Sequence, residues 1–297
     1  MNEQYKQDFL KAGALAKEVR AFGKSLVKTG ASYNSVIAAI NQKITALGAI
    51  AAFPPQLALN DVAAHYLPQP DEDIIFSDEV VKLDIGVCYN GGIGDCAVTI
   101  DLSGKHQVLI DAAESALLAA EKSIRVGQPV REIGKIIAET IASFGVKAIR
   151  NLAGHGLGPY KIHTAPSIPN YDDKSKAIVK PGMTFAIEPF ATNGNGLIYE
   201  TGAATIFSQI AELARVPVNL QTLFAKIKSY NGLPFAIHDL VGKDLPLLDV
   251  RLGLEKLLKS QVIAGYGPLV EEAKGFVAQA ENSVLVDDDG KVFITTR

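Results

Sequence analysis

The sequence predicts an α+β protein built from two similar halves. Three observations lead there. A pair of helix-patterned segments followed by strand-patterned runs occurs twice along the chain. The strand runs carry isolated acids among apolar residues, and residues 208–261 switch to a Leu- and Lys-rich helical pattern that interrupts the second set of strands. No internal sequence repeat accompanies this order of elements.

In chain order, residues 5–28 place Phe9, Ala12, Ala16, Val19, Phe22 and Leu26 at helical spacing, and Gly30 closes that helix. Ser32 or Ser35 caps a second helix carrying Val36, Ile37, Ile40, Ile44 and Leu47. Pro54-Pro55 is expected to break the chain, and Asn60 to cap a short helix, DVAAHYL, that holds His65. The run VVKLDIGVCYNGGIGDCAVTI, residues 80–100, then reads as a hairpin turning at Asn90-Gly91-Gly92. An even-length loop near Gly91 puts Asp84 and Asp95 on one face of the paired strands. Two like charges sharing a site repel unless a cation lies between them. Two aspartates on an edge strand facing water would fit this stretch equally well.

Amphipathic helices are expected over about 106–125 and 129–144. Strands resume after residue 145. AIRNLAGHGLGPYKIHTAPSIPN carries His155 and His163, eight residues apart, which keeps strand parity. PGMTFAIEPFATNGNG places Glu188 within an apolar strand, and GFVAQAENSVLVDDDGKVFITT does the same for Glu281 before a last turn at Asp289-Gly290.

The 297 residues suffice for one large domain or two ordinary ones. Hydrophobic residues at 48% and charged residues at 21% fall in the range of soluble globular proteins. A formal net charge of -3 gives no global electrostatic case for nucleic acid or an anionic membrane as partner. The N-terminal MNEQYKQDFLKAGALAKEVR is charged and helix-patterned, so no secretory signal and a cytoplasmic location are expected. Cys88 and Cys96 lack a CxxC spacing and read as reduced thiols.

Asp84, Asp95, His155, Glu188 and Glu281 are the acids and imidazole that stand in apolar strand contexts. Four carboxylates and one histidine form a hard, oxygen-rich donor set, better suited to two divalent first-row ions than to one tetrahedral structural zinc. Spacing leaves open whether the five converge or face solvent separately.

The strings FPPQLALNDVAAHY, KLDIGVCYNGGIGDCAVTI, GHGLGPYKIHTAPSIPN, FAIEPFATNG and GFVAQAEN resemble, in order and over nearly the whole chain, the type 2 methionine aminopeptidases. The absence of an extension before the first helix resembles the archaeal members. The resemblance implies the pita-bread fold, a pseudo-two-fold antiparallel sheet with outer helices. It divides the chain into a catalytic domain (1–207 and 262–297) and an inserted helical subdomain (208–261). The implied activity is metal-dependent removal of the initiator methionine from nascent proteins with a small second residue, with a metal-bridged hydroxide as nucleophile. Two divalent ions (Co, Mn, Fe or Zn) are implied. Asp84 matches a chelating ligand of one metal, Asp95 and Glu281 the bridging carboxylates, and His155 and Glu188 the ligands of the other. His65 and His163 match accessory histidines that contact substrate, and Glu188 also matches the proton shuttle. Phe53, Ile162 and Tyr266 match the walls of the methionine pocket. The expected partners are nascent N-termini at the ribosome, with no membrane, no direct nucleic-acid contact and a monomeric state.

Two residues depart from the family pattern. Ala280 and Asn282 flank Glu281 where an aromatic and a histidine are usual, which alters the surroundings of that ligand. The rival readings are a catalytically silent pita-bread protein that binds RNA or the ribosome, and a prolidase-like aminopeptidase. The first should lack ligands and carry a basic tail. The second usually has an additional N-terminal domain.

Overall fold

Helix α1 (Glu3–Leu26) is capped by the Asn2 side chain, which accepts from the backbone N–H groups of Gln4 and Tyr5. It buries Phe9, Ala12, Leu15, Ala16 and Val19 on one stripe. Ser32 is the residue that caps α2 (Tyr33–Ala46), accepting from Ser35 N–H at 3.1 Å. This computed structural model describes residues 1–213 and 215–297. Both helices cover a three-stranded antiparallel sheet of β1 (Ile50–Leu59), β3 (Val80–Tyr89) and β4 (Gly92–Asp101), with β3 in the centre. Leu83, Ile85, Val87 and Cys96 meet Ile40, Ile44 and Val19 in the first core.

Two local expectations are corrected here. Pro54-Pro55 does not break the chain; it lies within β1, at register shifts between Ala51 and Gln56. A bulge on a strand at the sheet edge tolerates residues that cannot donate to the ladder. DVAAHYL is not a helix. Asn60 turns the chain with φ 50°, and β2 (Val62–Ala64) follows, pairing with β14 (Leu269–Glu271). Seven residues are too few to nucleate an isolated helix, and a distant strand offers the backbone better partners.

The β3–β4 turn has two loop residues, Asn90 (φ 48°) and Gly91 (φ 90°), between the paired Tyr89 and Gly92. Positive φ at both positions is the turn whose twist matches the strands, and it fixes the register. That register pairs Gly86 with Asp95 and Asp84 with Ala97, so both aspartates share a face.

The second half repeats the plan. Helices α3 (Gln107–Ser123) and α4 (Val130–Ser143) precede β5 (Lys147–Ala148), β6 (Ala153–Gly158), β7 (Lys161–Pro169), β8 (Thr184–Ile187), β9 (Phe190–Thr192) and β10 (Ile198–Glu200). The chain closes with β15 (Val277–Gln279), β16 (Asn282–Val286) and β17 (Val292–Ile294). A five-stranded sheet runs β17-β16-β8-β6-β7, and a three-stranded one β15-β9-β5. Helices α3 and α4 pack on these sheets through Ile133, Ile137, Ile141, Phe185 and Val284.

Along the chain between β10 and β15, β11 (Ile206–Gln209) pairs with β12 (Phe235–Ala236) and β13 (Ile263–Tyr266) in a separate sheet. Helices α5 (Gln221–Lys228), α6 (Ile237–Leu240) and α7 (Leu247–Lys259) lie within this stretch. They enclose a core of their own around Leu223, Phe224, Leu240, Val250 and Leu257. No helix among the described residues is long and apolar enough to cross a membrane.

Candidate metal centre and active site

Two of the acids of interest lie within strands and two in the gaps between strands. Asp84 and Asp95 project from the same face of the β3–β4 hairpin. Glu188 occupies the gap between β8 and β9, and Glu281 the gap between β15 and β16, rather than strand interiors. His155 and His163 are not on one strand: they belong to β6 and β7, joined as a hairpin with register shifts at His155, Gly156 and Gly158. The bulges bring the two rings to 4.3 Å between centroids, edge to face. The histidine of the expected short helix, His65, instead follows β2 with φ 59°. Its N–H donates to Gln56 Oε1 at 2.7 Å, which holds the ring toward Tyr266 with 5.7 Å between centroids.

All of these residues line one cavity of about 150 Å³: Asp84, Asp95, His155, Glu188 and Glu281, with His65, His163, Phe53, Ile162 and Tyr266. Asp95, His155 and Glu281 each present a donor atom within 4.8 Å of the other two. The Nε2 of His155 lies 3.6 Å from Glu188 Oε1 and 3.8 Å from Asp95 Oδ2. Asp84 and Glu188 stand outside the tight triplet but face the same space.

The electrostatics of this cavity are unfavourable for the protein alone. Burial pushes the Asp84 carboxyl up to about 7, with the nearby Gln279 side chain opposing the shift. Burial, and then the neighbouring carboxylates, hold Asp95, Glu188 and Glu281 well above the usual range. Among the described residues the lining contains no Lys or Arg. The Oδ1 atoms of Asp84 and Asp95 are buried without a hydrogen-bond partner. Gln279 donates to Glu281 Oε2 at 3.3 Å, a small compensation. Orphaned carboxylate oxygens, massed acids and a missing counter-cation fit hard divalent metal ions. The imidazoles fit too: burial holds His155 down at about 3 and His65 at about 4, and lowers His163, so all three stay neutral at pH 7. A neutral imidazole has the lone pair a metal needs, or an N–H to donate.

The family is now decided by the sequence as a whole: a model of metallopeptidase family M24 matches residues 7–287. The chain belongs to this family. Methionine aminopeptidase of Methanocaldococcus jannaschii is 36% identical over 293 residues, covering 98% of each chain. Methionine aminopeptidase of Thermococcus onnurineus is 38% identical over 294 residues, covering 98% of this chain and 99% of its own. Among solved structures, methionine aminopeptidase from Thermotoga maritima superposes with a TM-score of 0.71 at 20% identity, covering 100% of this chain and 98% of its own. A thermophilic Arx1 superposes with a TM-score of 0.84 at 12% identity, covering 99% and 91%. At such identities the structures establish the fold alone, and it is the pita-bread arrangement of this metallopeptidase family.

Sequence reasoning missed several residues that line the cavity or support its acids. Gln56 pairs with Asp84 across β1 and β3, and is buried with its oxygen on His65 N–H. Gln279 stands two residues before Glu281. A buried glutamine opposite a buried aspartate has a signal only once the register is known. Ile206, Pro234 and Leu269 also close the cavity, and each looks like an ordinary apolar residue in the sequence.

Proposed function

We propose that this chain is a methionine aminopeptidase that releases the N-terminal methionine of nascent proteins whose second residue is small. The observation carrying the proposal is a cluster of four largely buried carboxylates that lines an apolar pocket with no Lys or Arg among its described lining residues. It occurs in a chain aligned almost end to end with methionine aminopeptidases at 36–38% identity.

In this reading Asp84, Asp95, His155, Glu188 and Glu281 hold two divalent ions, with Co, Mn, Fe and Zn all compatible with the donor set. Bound divalent metal would acidify a water and polarise the scissile carbonyl. Glu188 accepts a proton at its carboxylate and returns it to the leaving amine. The neutral ring of His163 or His65 donates an N–H to the oxygen on which negative charge develops. Phe53, Ile162 and Tyr266 surround the thioether and keep water from it. The hydroxyl of Tyr266 shares a hydrogen bond with that of Ser208 at 2.7 Å, which orients the ring. The Phe53 ring lies directly over Gly86, where an added Cβ would come within 2.3 Å of it.

The catalytic unit comprises residues 1–207 and 262–297, with 208–261 as an insertion. The substrates are nascent chains met at the ribosome, the enzyme works in the cytosol, and it acts as a monomer. Release of methionine from Met-Ala-Ser by the metal-loaded protein tests the proposal. Turnover of Xaa-Pro peptides in preference would move the assignment to a prolidase-like enzyme. No turnover with any of the four ions would move it to a binding protein.

A further inference from the structure

On the other side of Glu281 lies a second cavity, of about 540 Å³, which the proposed activity does not use. One wall is the α1 face carrying Lys17, Arg20 and Lys24, spaced so that all three point the same way. The facing wall is α3, with Leu117 and Leu118. The floor is made of small residues, Ala97 and Ala280. A volume of this size accommodates a small molecule rather than a few waters.

The charge in this cavity is out of balance. Lys17, Arg20 and Lys24 form no ion pair among the described residues, whereas the other cation, Arg297, pairs with the buried Glu121. Four cations line the cavity against one lining acid, Glu114, and the Glu121 that pairs with Arg297 behind it, which leaves two positive charges unmatched in a chain whose net charge is -3. Among the described residues Arg20 is held in place by neutral acceptors. It donates to the carbonyl of Glu281 at 3.0 Å, to Asn282 Oδ1 at 3.0 Å and to the carbonyl of Thr296 at 2.7 Å. Asn282 is itself pinned, donating to Glu121 Oε1 at 2.7 Å and accepting from the Thr296 hydroxyl at 2.8 Å. A fixed guanidinium between two exposed ammonium groups, with leucines opposite, is complementary to an anion that has an apolar end.

We propose that this cavity binds a small phosphomonoester that carries an apolar group. Its phosphate, close to a dianion at neutral pH, sits among Lys17, Arg20 and Lys24, and its apolar part lies against Leu117, Leu118 and Ala280. The inference is independent of the activity proposed above.

Titration calorimetry with phenyl phosphate on the metal-loaded protein tests it, with benzyl alcohol and inorganic phosphate as comparisons. Phenyl phosphate is expected to saturate the wild type at least about tenfold more tightly than either comparison. The double variant Lys17→Glu/Lys24→Glu, on an exposed helix face, is expected to weaken it at least about tenfold, with circular dichroism and methionine release unchanged. Ala280→Phe, which fills the floor, should also abolish binding. Equal affinity in the charge-reversed variant would place the probe elsewhere, including the metal centre, and would overturn the proposal. So would the absence of saturation, or inorganic phosphate binding as tightly as phenyl phosphate.

Discussion

Stripping divalent metal from the protein should make its stability fall as pH rises above neutrality. In the metal-free cavity, burial and then mutual repulsion hold Asp95, Glu188 and Glu281 well above the carboxylate range, and burial brings Asp84 to about 7. An acid raised in this way keeps, in the folded state, a proton that the unfolded chain has already lost. Stability therefore declines with pH until the folded pKa is passed. The buried histidines act in the opposite sense. His155, at about 3, and His65, at about 4, are neutral when folded while the unfolded imidazole still binds a proton below its value of 6.5. Their effect is complete by about pH 7, where they are neutral in both states. Above that pH the raised carboxyls are opposed by the buried Lys82, whose ammonium burial holds well below its usual range, and as four groups against one they set the sign of the slope. Each retained proton costs about 1.4 kcal/mol per pH unit, so one or two give a slope of about 1.4–3 kcal/mol. At about 2 °C per kcal/mol for a chain of this size, Tm should drop about 3–6 °C per pH unit. Divalent ions bind the ionised ligands, so their stabilisation should grow over the same range. Scanning calorimetry of chelated and reloaded protein between about pH 7 and 8.5 reads both slopes. A metal-free Tm that stays level or rises would refute the charge account of this cavity.

Other consequences are equally direct. Asp95→Asn should lower methionine release by at least about 10³-fold while circular dichroism stays native, because it removes the charge at the centre of the ligand cluster. The same variant, metal-free, should melt higher than the metal-free wild type, since one repelling carboxylate is gone; a lower Tm would contradict the repulsion. Glu271 is buried and accepts from the backbone N–H groups of Asn195, Gly196, Ala273 and Gly275. Glu271→Ala takes the acceptor from all four, of which that of Gly196 is buried, and denaturant melts should show a loss of about 1–3 kcal/mol. Gly86→Ala drives a methyl into the Phe53 ring; steady-state kinetics should show KM for Met-Ala-Ser raised by about tenfold, with a smaller effect on kcat.

Local physics was legible in the sequence. The helical stripe of α1 and the Asn90-Gly91 turn were readable because each depends on residues a few positions apart. The shared face of Asp84 and Asp95 followed from strand parity and that turn. Failures arose where a distant partner decides the outcome. Val62–Ala64 of DVAAHYL becomes β2 because β14, some 200 residues later, pairs with it, and β1 runs through two prolines because the shifted pairing with β3 asks nothing of their nitrogens. His155 and His163 have the right parity for a single strand, yet a hairpin with bulges sets their contact. The convergence of five candidate ligand side chains from four separated segments on one cavity is a property of the tertiary fold. Recurrent motifs point to it where spacing cannot, and motifs are silent on Gln56 and Gln279, which hold the histidine and the acid in place.

Metal content measured alongside turnover tests the central claim most directly. Protein stripped with chelator and titrated with Mn or Co should take up two ions per chain by elemental analysis and release methionine from Met-Ala-Ser in step with occupancy. Asp95→Asn should do neither. Full methionine release by the stripped protein, or by Asp95→Asn without bound metal, would contradict it.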